Sequence, residues 1–158
     1  MAAATLDERA LAALVSAATV SFGVDWLIKF LIAASVPLGD SVDLAPGLLA
    51  LVHRHNAGAL FGIPLGSVLV PAVLALPLVL VIGLLYVRAE RAWHAWLVLG
   101  VLFGATGGNA VDRLTSGYVD DVVAIGSRIW LNLADVLLVV SLLIAVARLW
   151  LPTRGRDA

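Results

Sequence analysis

The chain has 158 residues, of which 62% are hydrophobic and 13% are charged. Soluble domains are roughly one-half apolar and about one-quarter charged, so this composition indicates a membrane protein, and the length fits a single domain over residues 1–158. The net charge of −1 argues against a nucleic-acid partner, and the absence of cysteine excludes disulfides, thiolate catalysis and cysteine-ligated metal.

Four segments reach the roughly 20 apolar residues that a membrane-spanning helix needs. They cover about residues 11–34, 67–87, 93–111 and 129–149. The first is too long for the apolar part of a cleaved signal peptide, and its leading residues are not basic, so we predict a retained span. The predicted fold class is an all-α polytopic membrane protein with four transmembrane helices.

The arginines indicate the orientation of these spans. With four spans both chain ends lie on one side, and that side collects most of the arginines, namely Arg9, Arg88, Arg91, Arg148, Arg154 and Arg156. Basic residues favour the cytoplasmic side of a membrane. We therefore expect cytoplasmic termini, with the loops between spans 1 and 2 and between spans 3 and 4 at the outer face.

The first span carries Asp25 and Lys29 at positions i and i+4 of one helix face. Charges inside a membrane are costly, and pairing them lowers that cost. We interpret the two residues as a structural ion pair, with direct catalysis by Asp25 as the less favoured alternative.

Residues 37–64 form the only sizeable stretch between spans, and their turn signals predict two short strands in a small extracytoplasmic β-hairpin. His53 and His55 share one face of such a strand, which raises the possibility of metal or acid–base chemistry. No third ligand is evident nearby in the sequence, so an exposed polar edge is the favoured interpretation.

Glycines recur every four residues along the third span, at Gly100, Gly104 and Gly108. Small residues at this spacing lie on one helix face and allow a neighbouring helix to approach closely. The polar end of the third span should therefore pack against another helix.

Polar residues concentrate between residues 104 and 135. Asn109, Asp112 and Arg113 lie at i, i+3 and i+4, and Asn132 and Asp135 repeat the i, i+3 step. Ionisable residues next to a bilayer are a functional signal by default. The cluster lacks a Ser–His or Cys–His arrangement, a phosphate loop and a zinc-protease signature. Two carboxylates held close together share a proton, and such a pair can activate water and protonate a scissile amide.

Five short motifs occur in order along the chain. They are D-x-x-x-K at 25–29, N-x-G-x-x-F at 56–61, G-N-x-x-D-R at 108–113, V-D-D at 119–121 and N-x-A-D at 132–135. In these motifs the chain closely resembles the bacterial lipoprotein signal peptidases (signal peptidase II). The resemblance implies a membrane aspartic endopeptidase that removes the signal peptide from diacylglyceryl-modified prolipoproteins, cleaving just before the lipidated Cys.

The resemblance also implies roles for individual residues. Asp121 and Asp135 match the family's two catalytic acids, and the outer-face strands match its substrate cradle. The residues expected to bind substrate or support the site are Asn56, Gly58, Asn109, Asp112, Arg113, Asn132 and Ala134. No metal or organic cofactor is implied. The expected partners are lipid-modified prolipoproteins and membrane lipids, and we expect a monomer.

The chain departs from the family pattern by a second acid, Asp120, beside Asp121. Neighbouring residues on a strand point to opposite faces, so only one of the two can face Asp135. The spacing of nine residues from Asp112 favours Asp121.

Three other functions fit the sequence less well. A structural four-helix protein does not account for five ordered motifs. A transporter with a proton relay needs ionisable groups near the middle of the bilayer, whereas these lie at one surface. A metal-dependent lipid transferase needs more clustered acids than the pair Asp120 and Asp121 provides.

Overall fold

The computed structural model describes residues 8–57, 79, 82–87 and 93–150. These contain helices α1 (Glu8–Ser35), α2 (Ala95–Ser116) and α3 (Leu133–Trp150), and strands β1 (Ser41–Ala45), β2 (Leu49–Asn56), β3 (Val119–Ile125) and β4 (Ile129–Leu131). Within the described ranges, the three helices are long and apolar enough to cross a membrane.

Helices α1 and α2 run in parallel and pack closely along the predicted glycine face. Gly100 lies against Leu14, and Gly104 lies against the backbone of Ala18 and the hydroxyl of Ser21. A side chain at either glycine would overlap these α1 atoms, so the contact requires glycine at both positions. The prediction of close helix packing from the four-residue glycine spacing is confirmed.

Helix α3 runs in the opposite direction. Its first turn contacts the C-terminal ends of α1 and α2, where the backbone N–H of Ala134 donates a hydrogen bond to Asp25. Near its other end, Ala145 is buried with Ala95 and Leu99 from the start of α2, together with Tyr86 and Val87. The end of α1, the end of α2 and the start of α3 therefore lie together at one end of the helices.

A four-stranded antiparallel sheet in the order β1-β2-β3-β4 covers that end. The prediction of a two-stranded hairpin over 37–64 identified only β1 and β2. Strand β3 comes directly after α2, in the polar stretch between the third and fourth predicted spans, and it pairs with β2 across a long sequence separation. The described part of the chain thus combines apolar helices with a small antiparallel sheet, as predicted in outline, although the sheet has four strands where a two-stranded hairpin was expected.

The predicted spans agree with the helices to different degrees. The first corresponds to α1, and the third continues five residues further than predicted, to Ser116. The fourth was predicted to start at residue 129, but 129–131 form β4 and the helix begins at Leu133. Apolar strand residues next to an apolar helix carry no periodicity that separates them. Most of the second predicted span, 67–87, lies outside the described residues, so four spans remain a prediction.

We predict that Gly104→Ala lowers the stability of the folded protein by about 1–3 kcal/mol, because the new methyl group must displace the α1 backbone at Ala18. Thermal unfolding in detergent measures the effect. The matched control is Gly107→Ala on the same helix, where the added methyl group meets open space. This control should be neutral or stabilising by up to about 1 kcal/mol, since alanine favours helix more than glycine does. Equal losses for both variants would contradict the packing argument.

Candidate active site

Two buried carboxylates lie where the sheet meets the helix ends. Asp121 is in β3 with 1% of its surface exposed, and Asp135 is the third residue of α3 with 4% exposed. The charge on Asp135 acts directly on Asp121, and Lys29 and Arg113 attract both carboxylates. The predicted span began at residue 129, which would put Asp135 in the second turn of its helix, but α3 begins at Leu133 and Asp135 lies in the first turn.

The local sequence explains the position of Asp135. Asn132 precedes the helix, and its Oδ1 accepts the backbone N–H of Asp135 at 2.9 Å. This is an N-cap, in which an Asn side chain binds an amide that has no partner within the helix. The i, i+3 spacing of Asn132 and Asp135 is therefore a helix-start signal. Asn109 then fixes the carboxylate, because its Nδ2 donates to Asp135 Oδ1 at 2.9 Å.

Asp25 of α1 also binds the first turn of α3. Its Oδ1 accepts the N–H of Ala134 at 2.8 Å, while its Oδ2 forms an ion pair with Lys29 Nζ at 2.6 Å. The structure thus contains the i, i+4 pair expected from the first span. Asp25 also reaches α3, a contact that the local spacing in α1 could not indicate.

Lys29 connects α1 to α2. Besides Asp25, its ammonium donates to Asn109 Oδ1 at 3.0 Å and to Asp112 Oδ2 at 2.7 Å. Asp112 was expected to support Arg113 or the helix end; its hydrogen-bond partner is Lys29, and its charge also attracts Arg113. Arg113 itself donates from Nη1 to the carbonyl of Asn109 at 3.1 Å.

The pKa of Asp121 is raised to about 7. Burial is the main cause, because it disfavours the charged carboxylate, and the negative charge of Asp135 adds to the effect. A hydrogen bond from Asn56 and the charges of Lys29 and Arg113 act in the opposite direction. Asp121 Oδ1 is buried and accepts no hydrogen bond from the described residues. One oxygen of Asp121 is thus available for a proton, a water molecule or a substrate.

Asp120 lies apart from this pair. Asp120 pairs with His55 in the sheet and Asp121 with Arg54, so the two neighbouring acids belong to opposite faces of β3. The neighbour of Asp120 is His55, whose Nε2 lies 3.4 Å from Asp120 Oδ1. The argument from strand alternation, that only one of the two acids can face Asp135, agrees with this arrangement.

Most of the predicted residues come together at this end of the helices. Asn56, Asn109, Arg113, Asn132 and the two acids lie in or beside the cluster, while Ala134 contributes its backbone amide to Asp25. Gly58 lies outside the described residues. The sequence did not reveal that His53 and His55 would meet Asp120, because the pairing of β2 with β3 depends on long-range register.

The arrangement suits acid–base chemistry on a polar bond. Two buried carboxylates next to two cations and several amide groups do not both ionise easily, because burial and the charge of Asp135 raise the pKa of Asp121. The ionised member can accept a proton from water while the other donates one.

The chain is similar to one family of known proteins. The family model described as "Signal peptidase (SPase) II" matches residues 17–151. The lipoprotein signal peptidase of Dehalococcoides mccartyi (strain CBDB1) is 32% identical over 124 residues, which cover 75% of this chain and 77% of that protein. The lipoprotein signal peptidase of Streptococcus thermophilus (strain CNRZ 1066) is 32% identical over 139 residues, covering 84% and 89% respectively.

A solved structure shares the fold. A bacterial membrane enzyme determined by the in meso method at 2.3 Å resolution superposes with a TM-score of 0.67 at 22% identity, and the match covers 92% of each chain. A second, at 1.9 Å resolution, gives a TM-score of 0.65 at 22% identity. At this identity the likeness concerns the fold of the chain.

We predict that Lys29→Met destabilises the protein by about 3–5 kcal/mol, because it leaves Asp25 and Asp112 without their cation in a buried place. Thermal unfolding in detergent measures the loss. The control is Arg128→Met in the exposed turn between β3 and β4, with an expected change within about 0.5 kcal/mol.

A double variant separates charge balance from lost packing. Adding Asp25→Asn to Lys29→Met removes one of the stranded charges, so part of the stability should return. If the double variant is as unstable as the sum of the two single variants, Lys29 does not act through charge compensation.

Proposed function

Because this chain belongs to the signal peptidase II family, we propose that Asp121 and Asp135 together form its catalytic dyad. The chain is an aspartic-type protease of bacterial membranes that removes signal peptides from prolipoproteins. The observation that supports the dyad is a pair of buried acids from separate elements, in which burial and the charge of Asp135 raise the pKa of Asp121 to about 7.

The dyad shares one proton in the resting enzyme. Its ionised member removes a proton from a water molecule, and the oxygen of that water attacks the carbonyl carbon of the scissile amide. The protonated member donates its proton to the carbonyl oxygen, giving a tetrahedral intermediate. Collapse of the intermediate breaks the C–N bond: the leaving amine takes up the proton that the first acid removed from water, and a hydroxyl group of the intermediate gives its proton to the second acid as the new carboxyl group forms. The pair again holds one proton.

The other polar residues keep this pair in place or bind the substrate. Asn109 and Asn132 orient Asp135 through the carboxylate and the backbone respectively. Asn56 acts on Asp121, and Arg113 supplies positive charge to both acids. Asp112, Asp25, Lys29 and Ala134 form the supporting network, and Gly58 is assigned to substrate binding by family resemblance alone.

Cleavage occurs at the outer face of the membrane, just before a cysteine that carries diacylglycerol. The support for the side is that the dyad lies at the sheet end, whereas Arg9 and Arg148 lie at the opposite end of the described helices. Basic residues favour the cytoplasmic side, so both termini are cytoplasmic. The protein acts as a single domain and a monomer with lipid around its apolar helices.

We predict that Asp121→Asn and Asp135→Asn each abolish cleavage, since an amide can neither accept the proton from water nor supply one. Release of the signal peptide from a purified diacylglyceryl prolipoprotein measures this. Both variants should still insert and fold, which thermal unfolding in detergent checks. The same prolipoprotein without its lipid should be resistant to the wild-type enzyme.

Asp120→Asn is the matched control, because it makes the same chemical change one residue away on the other face of β3. It should keep substantial activity. A dead Asp120 variant together with an active Asp121 variant would mean that the catalytic position is assigned one residue too late.

We predict that the rate of cleavage falls as the pH rises through about 7. The raised pKa of Asp121 means that the shared proton is present below this pH and is lost above it, which leaves two ionised acids and no proton donor. Measuring kcat/KM from pH 5 to pH 9, which reports the ionisation of the free enzyme, should therefore show an alkaline limb of about tenfold per pH unit. A rate that stays constant up to pH 9 would exclude a shared proton as the source of the acid.

A further inference from the structure

A second cluster of ionisable side chains lies on the face of the sheet that turns away from the dyad. His53 and His55 of β2 and Asp120 of β3 each offer one ligand atom, and these atoms lie within 4.8 Å of one another. Asp120 Oδ1 is 3.4 Å from Nε2 of His55 and 3.8 Å from Nε2 of His53. From these distances and the orientation of the rings, we propose that His53, His55 and Asp120 form a binding site for a zinc ion.

The distances from Asp120 to the two histidines are close to what zinc requires. Zinc binds nitrogen and carboxylate oxygen at about 2.0–2.2 Å in a tetrahedral arrangement, which holds the ligand atoms roughly 3.4 Å apart. The His55 contact with Asp120 has this distance already, and the His53 contact is 0.4 Å longer. Two histidines and one carboxylate leave a fourth position for water.

His53 is oriented as a metal ligand usually is. Its Nδ1 lies 2.9 Å from the carbonyl oxygen of Val36, just beyond the end of α1. A carbonyl oxygen only accepts, so Nδ1 carries a hydrogen, and Nε2, which lies on the side of Asp120, is the ring nitrogen left to bind a metal ion. Histidine ligands in metal sites commonly donate their other ring N–H to a backbone carbonyl in this way.

The other two ligands are also held in position. The ring of His55 stacks on Tyr118, with 3.6 Å between ring centroids and 16° between ring planes. Asp120 Oδ1 is buried and accepts no hydrogen bond from the described residues. A buried carboxylate oxygen without a donor is unusual unless it faces an ion or water. A zinc ion would provide the missing partner.

The β-bulge in β2 creates this cluster. Leu51 pairs with Val123 and Arg54 pairs with Asp121, so two residues of β2 lie opposite the single residue Val122 of β3. The bulge shifts the alternation by one residue and puts His53 and His55 on the side of Asp120. An ion bound there would tie β2 to β3 directly beside the bulge.

Zinc titration of the full chain tests the proposal. The protein is purified in detergent without a polyhistidine tag, stripped with a chelator, and titrated with Zn²⁺ near pH 7.5 against a chromophoric zinc chelator. One zinc per chain should bind. His53→Ala and His55→Ala should each weaken binding at least tenfold, and Asp120→Asn should weaken it as well. Mg²⁺ and Ca²⁺ should not compete, because they prefer oxygen ligands.

The matched control is His94→Ala. His94 is the third histidine and lies just before α2, at the end of the helices away from the sheet, so its loss should leave zinc affinity unchanged. Zinc should also raise the Tm of the wild type and of His94→Ala but not of His53→Ala or His55→Ala, since a ligand that binds the folded state stabilises it. Cleavage of a lipidated prolipoprotein by each variant verifies that it is folded.

A measurement on the wild-type chain covers the case in which the histidine variants do not fold. Zinc should protect His53 and His55, but not His94, from modification by diethyl pyrocarbonate, as determined by mass spectrometry. Absence of saturable zinc binding, unchanged binding in His53→Ala and His55→Ala, or equal protection of all three histidines would each overturn the proposal. The three side chains would then be a simple His–Asp ion-pair cluster.

Discussion

The ammonium group of Lys29 holds the candidate active site together. An ammonium has three protons to donate and no acceptor, and Lys29 directs its contacts to Asp25, Asn109 and Asp112. An isolated charge in such a buried position costs several kcal/mol, and these three contacts offset that cost. They join α1 to α2, and they also determine the orientation of one amide. Because Asn109 Oδ1 accepts from Lys29, its Nδ2 must point the other way, towards Asp135.

The same charge system positions the start of α3. Asp25 uses one carboxylate oxygen for Lys29 and the other for the amide of Ala134. The next backbone N–H, that of Asp135, donates a hydrogen bond to Asn132 Oδ1. Two of the helix-start amides that lack partners within the helix are therefore bound by side chains. The acid at the third helix position cannot move without breaking this set of bonds, which gives it a defined place opposite β3.

The features that the sequence predicted are local, and those that it did not predict are long-range. The glycine face of α2 and the spacing of Asp25 with Lys29 follow from helix periodicity, which a sequence displays directly. The contact of Lys29 with Asp112 and the pairing of β2 with β3 join residues far apart in the chain. Residues 129–131 were assigned to a helix because three apolar residues fit a strand and a helix equally well.

The division of roles between Asp120 and Asp121 depends on a single inserted residue in β2. In a regular ladder continuing from Leu51 and Val123, His53 would pair with Asp121 and both histidines would share its face. The bulge moves them to the face of Asp120 and brings Arg54 opposite Asp121 instead. Imidazoles beside Asp121 would supply donors to its buried Oδ1 and change its protonation. The bulge therefore keeps the two histidines away from the candidate active site, and removing it would bring them onto the face of Asp121.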